Sequence, residues 1–416
     1  MTHQQSRARE EVWLGIILFS LALAAMGDQF LRSLYWSHSS WQITEWLINY
    51  AGGFVRRGLS GEALLYISQI LNIAANHLAI LLSFAIYGAL LFFLIKNARE
   101  IYSPATLISP LLMGAPAYQD FIVRKDVLIL CILVISLKLA VRKDHEARTS
   151  IALAIICAAG VLIHEAYFFV AFPVITAALL RKTDLMPSGQ ISRPLFSTSL
   201  VGLAFISSFV TTVIFKGSPK IALAIHNSWG PLWIQIDKTN CCITQPSAAI
   251  DAIGWSTSKG VSLSFSLLST FSDGIYVPLA WICIIIVCFW LMIGRSLLAH
   301  HEQLKHFAAI MLLQLVSLSP LFILGWDYGR WIFLWLVSSV LIYVVIPLSG
   351  SLAPTLFNRA ADKLLTHRLF RIKPPFWFLL IFGVPVCCWS IVSQIRSAPI
   401  GYALAHFYRL GRMLLL

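Results

Sequence analysis

The sequence predicts an all-α, polytopic integral membrane protein, and three observations carry that reading. The 416 residues are 58% apolar and only 12% charged, with mean hydropathy +0.80, a composition that soluble domains do not reach. Apolar runs of spanning length recur along nearly the whole chain. Lys and Arg gather in alternate connecting segments, as the orientation bias of membrane proteins requires. Hardly any stretch is polar enough to form a soluble domain, so residues 1–416 read as one integral membrane domain.

With Arg7 and Arg9 inside, Val12 to Gly27 crosses outward. This run and its small residues also have the look of a cleaved leader, but the many later spans favour a first membrane helix. Residues 28–76 form the first long external segment, in which Glu62 to Ala75 reads as an interfacial helix capped by Ser60. Leu78 to Ile95 returns to Lys96 and Arg99. Thr106 to Ile122 holds Pro110 and Pro116 and reads as a broken helix or re-entrant hairpin, counted as outward. Val127 to Val141 returns to Arg142 and Lys143. Ile151 to Ile163 and Ala166 to Leu180 form a short pair turning at His164-Glu165, and Leu195 to Phe215 goes out again. Residues 216–274 are the second long external segment. Ile275 to Ile293, Phe307 to Leu324, Ile332 to Leu348 and Phe376 to Val392 complete the count. The result is about eleven transmembrane helices (nine to eleven), N-terminus in and C-terminus out, with no internal repeat of the kind transporters use.

Cysteine spacing suggests no zinc site. Six of the eight cysteines lie in apolar spans, and Cys241-Cys242 are better read as two thiols than as a strained vicinal disulfide. The net charge of +13 follows from inner-loop basicity and contact with membrane lipids, and no basic stretch carries the interleaved aromatics of a nucleic-acid module.

The densest charged motifs map to the outer face, against the orientation bias, and ionisable groups at membrane depth mark function. Asp28 stands where the first span meets the outer interface, placed either as a base or as the end of a span. Asn49 to Glu62 carries four glycines around Arg56-Arg57: flexible backbone, amides and two guanidiniums suit a phosphate. Glu62 lies in the first turn of the interfacial helix, where it serves the helix dipole or catalysis. Arg124-Lys125-Asp126 face a diphosphate or neutralise one another. His164 and Glu165 point about 100° apart on a helix and so do not pair with each other. Asp327 and Arg330 are spaced for an ion pair over one turn, and Trp326, Tyr328 and Trp331 suit an interface belt or a sugar-stacking platform.

A first helix ending in Asp28, a long external loop with an interfacial helix, and further external charges together resemble the GT-C class of glycosyltransferases. The layout is similar to phage-type O-antigen glucosyltransferases and O-antigen polymerases of Gram-negative bacteria. The resemblance implies an enzyme of the bacterial cell inner membrane, acting on the periplasmic side with an undecaprenyl-phosphate-linked sugar donor and a lipid-linked glycan acceptor. Asp28 matches the family's base, with Glu62 as second candidate. Arg56, Arg57, Arg124 and Lys125 would hold the donor phosphate, with Asp126, His164, Glu165, Asp327 and Arg330 supporting the substrate site. A divalent metal is compatible with the carboxylates, but no ligand spacing demands one. The rival readings are a polymerase joining lipid-linked repeat units, a transporter or flippase, and a scaffold. A transporter needs charge along a path through the membrane, and a scaffold leaves the glycine-arginine loop unexplained. The topology makes a direct prediction: tags at Lys143, Arg181 and Lys363 report cytoplasm, and tags at Lys238 and the C-terminus report periplasm. A cytoplasmic signal from Lys238 dismantles the common outer face.

Overall fold

The computed structural model describes residues 3–35, 40–142, 147–184, 192–229, 245–346 and 352–414. Lys143, Lys238, Cys241, Cys242 and Leu348 lie outside the described residues. The chain is an all-α membrane protein. Among the described residues, six helices are long and apolar enough to cross a membrane: Glu10–Leu34, Ala75–Asn97, Pro194–Ile214, Val277–Gly294, His301–Leu324 and Tyr328–Val345. At 1.5 Å per residue, even the 18-residue Val277–Gly294 is about 27 Å long, close to the thickness of the hydrocarbon core. Ala147–Ile163 and Ala166–Arg181 are shorter apolar helices. The described strands are two-residue pieces, Phe271–Ser272 and Ile275–Tyr276, joined at Asp273-Gly274 with both residues at positive φ, the backbone that a tight hairpin turn requires.

The chain divides into two compact units: Met1–Gln29, Leu91–Phe121 and Val261–Leu416 form the first, Phe30–Leu90 and Ile122–Gly260 the second. In the first unit, Tyr328–Val345 is the central helix. It is buried on nearly every side, and its Trp335 indole N–H donates to the Met311 carbonyl at 2.7 Å. Residues 101–121 do not form a continuous helix. They break into α5 (Pro104–Ile108) and α6 (Ala115–Tyr118) around a buried turn. The turn's amides are used internally, Met113 N–H donating to Leu107 and Gly114 N–H to Ser109, as buried irregular backbone must. Residues 376–392, expected as a span, likewise contain only the short helix Phe378–Ile381 before an irregular stretch. Gly383 and Pro385 interrupt it, and Ser390 restarts a helix through a capping box with Ser393.

The first helix, α1 (His3–Tyr35), continues two turns past the expected end at Gly27. Asp28 therefore sits inside a helix rather than beyond it.

In the second unit, α7 (Asp126–Val141), α8 (Ala147–Ile163), α9 (Ala166–Asp184) and α10 (Ser192–Ile214) form a bundle in which α7 and α10 each lie against α8 and α9. Gly160 admits the Tyr167 ring against α8, where a Cβ would collide with it. Ser136 and Tyr167 share a hydrogen bond at 2.7 Å, and Phe168 stacks on Phe172 and Phe209 with centroids 4.9 and 4.4 Å apart. The two long loops also meet within this unit. From the first come α2 (Trp41–Trp46) and the start of α3 (Gly58–Leu71). From the second come α11 (Pro219–Ser228) and the helix Ala248–Ile253. Trp46, Leu47, Ile225, Trp229 and Ile250 share one apolar core. Polar contacts pin the lobe: Trp229 Nε1–H donates to Leu47 O at 2.8 Å, Asn49 to Ser228 at 2.8 Å, and Ala249 N–H to Thr44 at 3.1 Å.

Candidate functional site

The lobe carries into the bundle's end a carboxylate that the loop reading passed over. Ser40 caps α2 by accepting the Ile43 amide, and the helix then points Glu45 inward, where its side chain is 0% exposed. Arg57 Nη1 donates to Glu45 Oε1 at 3.2 Å, His164 Nε2 lies 3.1 Å from the same oxygen, and Arg124 Nη1 lies 3.6 Å from Oε2. Arg57 also grips Glu165 from Nε and Nη2, at 2.8 and 2.5 Å. Arg56 reaches Glu165 at 3.8 Å, with a third of its side chain (33%) still exposed. Four stretches far apart in sequence, at 45, 56–57, 124–125 and 164–165, thus join in one charged constellation.

The glycine-arginine loop is ordered differently from the open amide cradle expected. Tyr50 N–H donates to Glu62, Ala51 N–H to Asn49 Oδ1, Gly53 N–H to Tyr50 O, and Arg56 N–H to Phe215 O, so these amides are already engaged. Gly61 lets α3 approach Ile48, whose carbonyl a Cβ would strike, and Gly53 takes φ +105°. The helix starts at Gly58, with Arg57 as its left-handed N-cap and Ser60 inside its first turn. Ser60 is therefore not the cap. Glu62 is exposed and tethers the loop through Tyr50.

Each remaining candidate has a defined environment. Lys125 is fully buried and donates from Nζ to the carbonyls of Arg57 at 3.0 Å and Ile163 at 3.4 Å. It ties the arginine loop to the end of α8, and burial pushes its ammonium down to about 7 against the pull of Glu45. Asp126 is buried in the first turn of α7, where it complements the helix dipole. Burial lowers the His164 imidazole and Arg57 reinforces this, with Glu45 opposing. His164 Nδ1 accepts the Ala166 amide at 3.1 Å, which leaves Nε2 to carry the proton toward Glu45. Burial alone would raise the Glu165 carboxyl, but Arg57 outweighs it and holds the group well below the usual carboxylate range. Glu165 therefore stays ionised at neutral pH. The nearest partners of His164 and Glu165 are Glu45 and Arg57, but they also meet each other, His164 Nδ1 lying 3.9 Å from Glu165 Oε2, a contact that the 100° spacing did not anticipate.

Asp28 belongs to the other unit. Its carboxylate lies 3.3 Å from His406 Nε2 and accepts from the Tyr402 hydroxyl at 3.3 Å, both on the C-terminal helix Pro399–Leu414. The Asp327–Arg330 pair forms at 2.5 Å, with Arg330 at 5.2 Å from the Trp331 ring. Tyr328 and Trp331 are core residues, the former packed at 5.0 Å on Trp281, so these two rings do not form an open sugar platform, while Trp326 is half-exposed.

Sequence reasoning missed Glu45, Tyr402 and His406. For Glu45 a signal existed: a carboxylate framed by Trp41, Ile43 and Trp46 behind a helix cap. Among the described residues no three His, Cys, Asp or Glu side chains group as a metal site requires. Comparison with protein-family models, with curated proteins and with solved structures returns no match.

Proposed function

We propose that the chain is a glycosyltransferase of the bacterial inner membrane. On this reading it takes a sugar from an undecaprenyl-phosphate donor and adds it to a lipid-linked glycan such as O-antigen on the periplasmic side. The observation that carries the reading is the constellation around Glu45. Burying several charges at one end of a membrane bundle is costly, and such clusters concentrate where a charged ligand is handled. Counting Arg56, Arg57, Arg124 and Lys125 against Glu45, Asp126 and Glu165, with His164 neutral, the group carries one excess positive charge while Lys125 is protonated.

The chemistry asks for few parts. A base takes the acceptor hydroxyl proton, the freed oxygen bonds to the anomeric carbon, and the bond from that carbon to the phosphate oxygen breaks. The electron pair leaves with the lipid phosphate, and fixed cations stabilise it. For the base, the resemblance alone implies Asp28, and the cluster's geometry supports only the phosphate side of the reaction. Arg56, the most exposed guanidinium of the cluster, is the residue best placed to meet the phosphate. Arg57 and Lys125 position the loop that presents it.

Arg56→Lys keeps the charge but loses the planar fork that matches two phosphate oxygens. In membranes supplied with titrated polyprenyl-phosphate sugar, Arg56→Lys is expected to weaken donor use by about 1–3 kcal/mol, the scale of a charge-assisted hydrogen bond. Its melting temperature stays unchanged. Arg57→Lys, which breaks a bidentate contact to Glu165, lowers the melting temperature as well. Unchanged donor dependence in Arg56→Lys removes the phosphate role. A lipopolysaccharide gel with and without the gene separates single-sugar transfer, which leaves ladder spacing largely intact, from polymerisation, whose loss collapses the ladder to one repeat.

A further inference from the structure

The first unit contains a cavity of about 860 Å³ that the charged cluster of the second unit does not share. One wall is the stripe Val12, Ile16 and Phe19 on α1, which stays 61%, 50% and 49% exposed. Arg295 and Lys373 also line it. The walls are held by specific contacts. Trp290 Nε1–H donates to Ile372 O at 2.8 Å, and Pro374 packs on Gly294, where a Cβ would collide with its ring. Together these place Lys373 beside the end of the helix Val277–Gly294. Leu297 N–H donates to Ile101 O at 2.8 Å, fixing the segment that leads into α5.

Arg295 is the telling residue. Its side chain is 6% exposed and its Nη2 pairs with Glu11 at 2.6 Å, yet its buried Nε has no hydrogen-bond partner among the described residues. A cation that only complemented the carbonyl end of its helix would need neither a second cation nearby nor an apolar wall. A free inorganic anion would leave that wall unfilled. One excess positive charge beside a hydrocarbon-lined groove suits a ligand with an anionic phosphate head and an aliphatic tail.

We propose that this cavity binds the phosphate headgroup of an anionic membrane lipid on Arg295 and Lys373, with its chain along Val12, Ile16 and Phe19. Glu11 competes with the headgroup for Arg295. Removing Glu11 therefore strengthens the site, an effect opposite in sign to structural damage. This inference is independent of the proposed transferase reaction.

The test uses the full chain in phosphatidylcholine nanodiscs containing a phosphatidic acid whose acyl chain carries a photoreactive diazirine. Peptide mapping is expected to find label on residues 12–19. Unlabelled phosphatidylglycerol competes for it, whereas phosphatidylcholine and inorganic phosphate do not. Lys373→Gln and Arg295→Gln each reduce labelling by roughly tenfold, the scale of one charge-assisted bond, and Glu11→Gln raises it. Lys373 and Glu11 both reach solvent, so their variants report even where Arg295→Gln fails to fold. Equal labelling by a phosphatidylcholine diazirine, or labelling indifferent to both Lys373→Gln and Glu11→Gln, overturns the site. Full competition by inorganic phosphate overturns the lipid assignment.

Discussion

Glu45→Gln is expected to destabilise the chain more than any other single change in the charged cluster. Glu45 faces Arg57, Arg124 and His164 with no solvent contact of its own. Without its charge, the Arg124 guanidinium, only 9% exposed, remains buried opposite a neutral amide. Removing one partner of a buried ion pair costs about 3–5 kcal/mol. Thermal or denaturant unfolding of detergent-purified protein reads this loss directly. The compensating double variant is diagnostic. Arg124→Met in the Glu45→Gln background removes the buried cation that faced the lost charge and is expected to restore part of the stability. If Glu45→Gln unfolds with the parent, or the double variant is worse than the single, Glu45 does not organise the cluster.

The second large effect concerns activity. Asp28→Asn preserves size and one hydrogen-bonding oxygen but removes basicity, so glycosyl transfer is expected to fall by roughly 10²–10⁴-fold, the usual contribution of a general base. Membrane level and melting temperature stay close to the parent, because the pair with His406 is partly exposed, at 25% and 30% for the two side chains, and exposed pairs add little stability. Normal transfer by Asp28→Asn reduces Asp28 to a helix residue tied to the C-terminal segment, and Glu62→Gln becomes the next measurement.

Hydropathy alone was enough to read the helical membrane class, because the cost of exposing backbone and charge to hydrocarbon leaves few alternatives. The same reasoning located Arg56, Arg57, Arg124, His164 and Glu165, which do converge, and foresaw the Asp327–Arg330 pair from spacing. What it could not supply was pairing over distance. Arg57 meets Glu165 across 108 positions, and nothing in either local sequence names the other. Glu45 was passed over because residues 28–61 read as an aqueous loop, where a carboxylate carries no penalty. Folding of α2 against the helix Ala248–Ile253 turned that surface into a core and that carboxylate into its charged centre. The expected span at 376–392 failed for a local reason: an apolar composition satisfies the bilayer, but Gly383 and Pro385 do not satisfy a helix.

Arg57 holds φ at +64°, in the left-handed region that costs a residue with a Cβ about 1–2 kcal/mol. Glycine or asparagine would sit there with less strain. The backbone and the ion pairs at this position thus make opposite demands on the genetic code. Losing the partner of buried Glu45 and partly buried Glu165 costs about 3–5 kcal/mol, more than the strain it relieves, so directed evolution that rewards expression alone should keep arginine at 57. Glycine or asparagine should reach that position only in lineages that have first neutralised both carboxylates, so the order of substitutions in a sequencing run would record which demand dominates.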